Sequence, residues 1–136
     1  MDLGKTIGIA AAGMSAQAVR LRVVSENLAN ADSTASTVGG EPYRRKVVTF
    51  KSTLDKALDV QTVGIGGVKP VAGEFERRFD PAHPAADADG YVQLPNVNPL
   101  VELMDMREAQ RGYQANLSVI EAAKSMISRT IELLHG

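Results

Sequence analysis

Two apolar stripes with helical spacing, one at each end of the chain, constrain this sequence more than anything between them. Near the start, Leu3, Ile7, Ala10, Met14, Gln17, Leu21, Val24 and Leu28 follow one another at intervals of four and three. All but Gln17 are apolar, and the interval is that of a coiled-coil seam. Near the end, Leu103, Met106, Gln110, Tyr113, Leu117, Ile120, Lys124, Ile127, Ile131 and Leu134 keep the same spacing, with breaks at Gln110 and Lys124. Asn98-Pro99 supplies the start signal, an Asn cap followed by Pro at the first helical position. No proline follows, so the spacing predicts one helix of about 37 residues, roughly 55 Å long at 1.5 Å per residue. A chain of 136 residues cannot bury so long a stripe inside one globule. It needs another helix.

The N-terminal stripe carries its own weakness. Gly4, Gly8 and Gly13 each cost an isolated helix about 1 kcal/mol relative to Ala, so this helix requires a partner surface. Asn27 and Asn30 bracket its end, where Asn tolerates the left-handed conformation that stops helices. Arg20, Arg22 and Glu26 fall off the stripe. The same glycines interrupt any apolar run, and nothing is expected to approach a membrane span of about 20 apolar residues or an ordinary secretory signal.

Between the ends the period changes. Residues 31–97 hold most of the Gly and Pro and read as short strands and turns. Tyr43–Phe50 has the β-branched and aromatic content of a strand, with a turn at Gly39-Gly40 before it. Val60–Val71 is a second extended stretch, broken by Gly64, Gly66 and Gly67. Glu74–Phe79 and Tyr91–Leu94 supply shorter ones, and Asp80–Gly90 is a loop. The expected fold class is therefore α+β: long N- and C-terminal helices paired as a coiled coil, with a small middle domain of short strands and loops. The divisions fall at 1–30, 31–97 and 98–136.

Composition removes several function classes. Fifteen basic and 16 acidic side chains leave a net charge of −1, with no basic stripe for nucleic acid. So balanced a chain offers little electrostatic resistance to self-association. The absence of cysteine rules out disulfides. Asp80, His83, Asp87 and Asp89 are ligand types within one loop, but a calcium loop in that frame needs acids where Ala85 and Asn96 stand. Asp-Gly and His-Pro pairs there read as turns. Gly64-Ile-Gly-Gly67 lacks the following GK[ST] and helix of a phosphate loop, and reads as a turn or bulge. His83 and His135 are the only histidines, and neither has a nucleophile and acid beside it in sequence. The expectation is no catalytic residue, no metal site and no cofactor.

Specific motifs then narrow the field. Ser25-Glu-Asn-Leu-Ala-Asn-Ala-Asp-Ser33 after an amphipathic helix, followed by Tyr43-Arg-Arg-Lys46, resembles the signature of flagellar axial proteins: rod, hook and hook-associated subunits. Phe79-Asp-Pro-Ala-His-Pro-Ala-Ala-Asp-Ala-Asp-Gly-Tyr-Val-Gln-Leu-Pro-Asn-Val-Asn98 resembles the proximal rod members of that family. So does Ala109-Gln-Arg-Gly-Tyr-Gln-Ala-Asn116, followed by Lys124-Ser-Met126. The match covers nearly the whole chain, least distinctively over 52–73. It departs where Phe79 stands for a common Tyr, and where Asp32–Gly40 replaces an Asn-Thr-x-Gly type of turn.

The resemblance implies a non-catalytic structural subunit of the bacterial flagellar basal body. The family's terminal helices pair in the inner layer of a helical tube, and its middle segment lies outside. It implies export from the cytoplasm by the flagellar type III apparatus without a cleaved signal, and a place in the periplasmic rod. The implied partners are other proximal and distal rod subunits, the rod-to-ring adaptor, the inner-membrane ring and the export apparatus. Nucleic acid, small-molecule substrates and direct membrane insertion are not implied. On this reading the assembly seam is the apolar members of the two stripes. Polar contacts that fix register fall to Asn27, Asn30, Arg111 and Asn116, together with Tyr113. A secreted coiled-coil adaptor or chaperone would share both ends but has no reason to carry the middle motifs. A small metal-dependent hydrolase would need the Asp80–Asp89 loop to gather ligands.

Overall fold

The computed structural model describes residues 2–136, and its longest elements are the two terminal helices. Helix α1 spans Leu3–Ala29 and α2 spans Pro99–His135. Between them run β1 (Lys46–Asp55), β2 (Val60–Pro70), β3 (Glu76–Phe79) and β4 (Tyr91–Leu94). Strands β1 and β2 form one antiparallel hairpin, and β3 and β4 another.

The helix ends follow from local chemistry. Asp2 caps α1 by accepting the N–H of Lys5 at 3.1 Å, and Asn98 caps α2 by accepting that of Leu100 at 3.1 Å, with Pro99 next. Asn30 closes α1 without the left-handed turn expected of it: φ is −102°. Its side-chain amide instead donates to the carbonyl of Glu26 at 2.9 Å, which also accepts the Asn30 backbone N–H at 3.1 Å, so one residue clamps that carbonyl twice. Asn27 lies within the helix rather than at its stop.

Helices α1 and α2 pack antiparallel. Asn27 reaches Glu102, Gly112 lies on Gln17, and Gly13 lies on Asn116. A Cβ built on Gly13 would stand 2.6 Å from the Asn116 amide nitrogen, and one on Gly112 would stand 3.0 Å from that of Gln17. A side chain at Gly13 would force Asn116 to move, and one at Gly112 would press on Gln17. The buried positions of α1 are Ala10, Gly13, Ala16, Val23, Val24 and Asn27, and those of α2 are Glu102, Ala109 and Ala123. Most lie one residue before a position of the apolar stripes, so the closest line between the helices is rotated by about one residue. Small residues let the backbones approach there, and the larger stripe residues flank the line.

The β1–β2 hairpin folds back along α1. Its root is held at Asn27, and at its tip Leu58 lies on Gly8. The glycine-rich stretch proves to be strand: β2 carries the register shift opposite Thr49 and Phe50, with Gly66 as the extra residue. Gly39 takes φ +81° in the turn before β1 and Gly90 takes φ +84° before β4.

By length and composition alone, α1 is long and apolar enough to cross a membrane, which the glycine interruptions had argued against. In the folded chain one of its flanks is taken up by α2 and another by the hairpin.

Candidate assembly surface

The best-buried polar groups of the chain meet where both helices join the hairpin. Asn27, 1% exposed, uses its whole amide. Its nitrogen donates to the Lys46 carbonyl at 2.8 Å and to Glu102 Oε2 at 3.1 Å. Its oxygen accepts the Lys46 N–H at 3.0 Å and the Tyr43 hydroxyl at 2.7 Å. A helix side chain thus pairs with strand backbone as a neighbouring strand would. Burial, with Glu26 nearby, pushes the Tyr43 hydroxyl above its ordinary range and keeps it a donor.

Glu102 is fully buried, a costly place for a carboxylate unless every lone pair is used. Asn27 takes one oxygen and the Arg45 guanidinium the other. Arg45 also reaches Asp105 at 3.1 Å, and Asp105 lies 3.5 Å from Arg20, which holds Glu108 at 3.3 Å. One chain of charges therefore links α1, the residue before β1 and the first three turns of α2. The Arg45 N–H is held by Asn96 at 2.8 Å, and Arg44 bonds the carbonyls of Val71 and Gly73 while stacking on Phe75 at 4.4 Å. Lys46 pairs with Glu26 at 2.9 Å, which holds its ammonium above the ordinary range.

A cleft of about 290 Å³ opens beside this junction, lined by Val23, Val24, Val47, Val48 and Phe50 with Arg20, Arg45 and Lys46 at its rim. All three cations are already matched by carboxylates of the chain. The cleft offers no free charge to a ligand, and the cluster acts as a lock between elements.

The Asp80–Asp89 loop is a closed turn. The N–H of Tyr91 foremost, then the guanidinium of Arg77 and the N–H of Asp89, hold the Asp87 carboxyl below the usual carboxylate range. His83 Nδ1 accepts the Ala85 N–H at 3.0 Å, which leaves Nε2 to face the Thr34 hydroxyl at 3.0 Å. Among the described residues, no three His, Asp or Glu side chains stand together as metal ligands would.

The structure distributes the residues singled out in the sequence unevenly. Ala10 and Val24 are buried, and Leu3, Ile7, Met14, Leu21, Leu28, Met106, Tyr113, Leu117, Ile120 and Ile127 are half-buried along the edges of the helix pair. Leu103, Ile131 and Leu134 are exposed. Of the polar four, Asn27 is the hub, and Asn30 caps its own helix. Asn116 bonds the carbonyl of Gly112 at 2.9 Å beneath Gly13, and Arg111 is exposed. Glu102, Arg45, Asp105 and Asn96 were missed, and Arg20, set aside as off the stripe, sits in the charge chain. The signals in sequence were Glu102 in the first turn of α2 and the Arg-Arg-Lys run opening β1.

Comparison with known proteins agrees with this architecture. The family described as "Flagella basal body rod protein" matches residues 7–35, and "Flagellar basal body rod FlgEFG protein C-terminal" matches residues 88–133. Among curated proteins, the flagellar basal-body rod protein FlgC of Agrobacterium fabrum is 50% identical over 126 residues, covering 93% of this chain and 91% of that protein. That of Bacillus subtilis is 40% identical over 143 residues, covering 94% and 95%. That of Salmonella typhimurium is 38% identical over 135 residues, covering 98% of each.

Proposed function

The chain belongs to the FlgC family of flagellar basal-body rod proteins, and from that premise we propose how its structure serves the rod. It is a structural subunit of the flagellar basal body, and its identity to rod proteins over nearly its full length carries that reading. We infer that its work is mechanical and non-catalytic. The α1–α2 pair forms an inner layer in which the half-buried stripes meet neighbouring subunits as coiled-coil seams, and residues 31–97 lie outside it. Contacts between unlike surfaces build an open helical tube when the rotation they impose does not close into a ring, and that is the arrangement proposed for this chain.

The polar lock supports a torque-bearing role. A hairpin tied to both helices by Asn27, Glu102 and Arg45 moves with them as one body. Torque delivered to the helices then reaches the outer segment without unpacking a seam. We further propose export through the flagellar type III apparatus without a cleaved signal, and contact with other proximal and distal rod subunits, the rod-to-ring adaptor and the inner-membrane ring.

The experiment is replacement of the chromosomal gene by a tagged copy. A strain lacking the chain should neither swim nor yield rods or hooks, and the tagged chain should restore swimming and co-purify with hook–basal bodies. Normal rods in the strain lacking it would overturn the reading.

A further inference from the structure

The Asp80–Asp89 loop holds one contact that its own turns do not need. Thr34, on the segment that joins α1 to β1, meets Nε2 of His83 at 3.0 Å, and both side chains are half-buried. Among the described residues this is the sole hydrogen bond between residues 31–42 and residues 76–94. A cleft of about 340 Å³ opens directly beside it, with Ala35, Gly39 and Gly40 on one wall and Ala85, Asp87 and Tyr91 on the other.

The proton on the imidazole is placed by the other ring nitrogen. Nδ1 accepts the Ala85 N–H at 3.0 Å, and an amide N–H can only donate, so Nδ1 is bare. In the neutral ring the proton therefore sits on Nε2 and is donated to the Thr34 hydroxyl. A second proton can enter only at Nδ1. There it would face the Ala85 N–H, donor against donor, and the ring would have to turn. A ring fixed at both nitrogens cannot turn at Nδ1 without leaving Thr34 at Nε2. Nothing nearby offsets that loss. Asp80 begins the same turn, Asp87 is bound to Arg77 at 3.0 Å, and Asp32, Glu41 and Asp89 are exposed. None of these carboxylates pairs with His83, which makes no ion pair among the described residues.

We propose that His83 is a proton-operated latch. Neutral, it ties the connection between α1 and β1 to the 80–90 loop; protonated, it releases that connection and opens the cleft. Protonation costs the folded chain both hydrogen bonds and costs an unfolded chain neither. The latch is therefore closed at about pH 8 and opens towards about pH 5, the range in which histidine changes charge. The loop itself survives the change. The N–H of Tyr91 foremost, then Arg77 and the N–H of Asp89, hold the Asp87 carboxyl below the usual carboxylate range, so it stays charged and keeps its turn. Acid in this range loosens residues 31–42 and leaves the turn they were tied to. The device is independent of the rod reading, since every group in it belongs to one chain.

Amide hydrogen exchange of the purified full chain, read by NMR and expressed as protection relative to the unstructured rate at each pH, tests the latch. Protection of the Ala85 N–H should fall at least about fivefold from about pH 8 to about pH 5, the worth of one ordinary hydrogen bond. The Gly40 N–H, bonded to the Thr37 carbonyl at 3.1 Å on the facing segment, should loosen with it. His83→Gln should remove the pH dependence at both amides, and His135→Gln, at the exposed end of α2, should leave it intact. Thr34→Val should keep the dependence at Ala85 and abolish it at Gly40. On the native chain, the nitrogen chemical shifts of the imidazole at about pH 8 should show the proton on Nε2. Equal protection of Ala85 at both pH values, a proton on Nδ1 at the alkaline end, or a dependence at Gly40 that survives Thr34→Val would overturn the proposal.

Discussion

Replacing Asn27 tests whether the buried amide, and not the apolar stripe beside it, ties α1 to the rest of the chain. Asn27→Ala strands four groups: the N–H and carbonyl of Lys46, the Tyr43 hydroxyl and one oxygen of Glu102. A buried group left without a partner costs about 1–3 kcal/mol. Lys46 and Tyr43 are close enough to water to recover part of that, but Glu102 is fully buried and retains only Arg45. Taking the low end for the first three and a middle value for the carboxylate gives a loss of about 5 kcal/mol, against a typical total of roughly 5–15. Asn27→Asp separates hydrogen bonding from packing. It keeps the volume but turns the donor into an acceptor facing the Lys46 carbonyl and Glu102, so it should cost at least as much. Asn30→Ala removes a single bond at a helix end and should cost about 1 kcal/mol or less. Urea unfolding of the purified chain, followed by far-ultraviolet circular dichroism, reads all three. At an m-value of about 1–3 kcal/mol/M, the Asn27 variants should lower the midpoint by roughly 2 M, and Asn30→Ala by well under 1 M. If Asn27→Asp and Asn30→Ala unfold together, the junction is not what holds the hairpin to the helices.

Gly90→Ala should destabilise by about 1–2 kcal/mol from its positive φ plus a steric cost, because the new Cβ would stand 2.9 Å from the Phe79 ring. Gly39→Ala, with the same sign of φ and nothing within 4 Å, should show the conformational cost alone, so thermal unfolding of the two should differ by the clash. Asp87 sits below the usual carboxylate range when folded, so its contribution is present above about pH 4, the unfolded value, and fades as pH falls through the folded one. The stability gap between the native chain and Asp87→Asn, measured by urea unfolding at several pH values, should be flat above that point and shrink below it. Ile120→Asp puts a charge on the half-buried stripe and should block rod completion, scored by swimming and recovery of hook–basal bodies, while exposed Glu121→Ala should be nearly silent. Amide hydrogen exchange on the isolated chain should be slowest in 20–28 and 102–109, around the junction, and fastest in 127–135; uniform protection along α2 would contradict its exposed C-terminal end.

Helical spacing made both terminal elements legible because it depends only on residues three or four apart. Asn98-Pro99 marked the start of α2, and β4 lies where Tyr91–Leu94 alternates. What spacing could not say was which line of each helix comes nearest the other. The stripe rule follows the largest apolar side chains, but two helices approach most closely where side chains are small. Gly13, Ala16, Ala109 and Gly112 win that line, and Met14, Leu21, Tyr113 and Leu117 are turned to its edges. The same limit hid the junction. Arg45 and Glu102 are separated by more than fifty residues, and each alone reads as a solvated charge; only the fold brings the guanidinium to the carboxylate. Asn27 was noticed as a polar residue at a helix end, yet its role depends on a strand whose backbone it meets nineteen positions later. The edges left half-covered by this arrangement, and the exposed C-terminal end of α2, make physical sense together. On the proposed function, a subunit that spends its small residues on its own helix pair keeps its larger apolar ones for its neighbours.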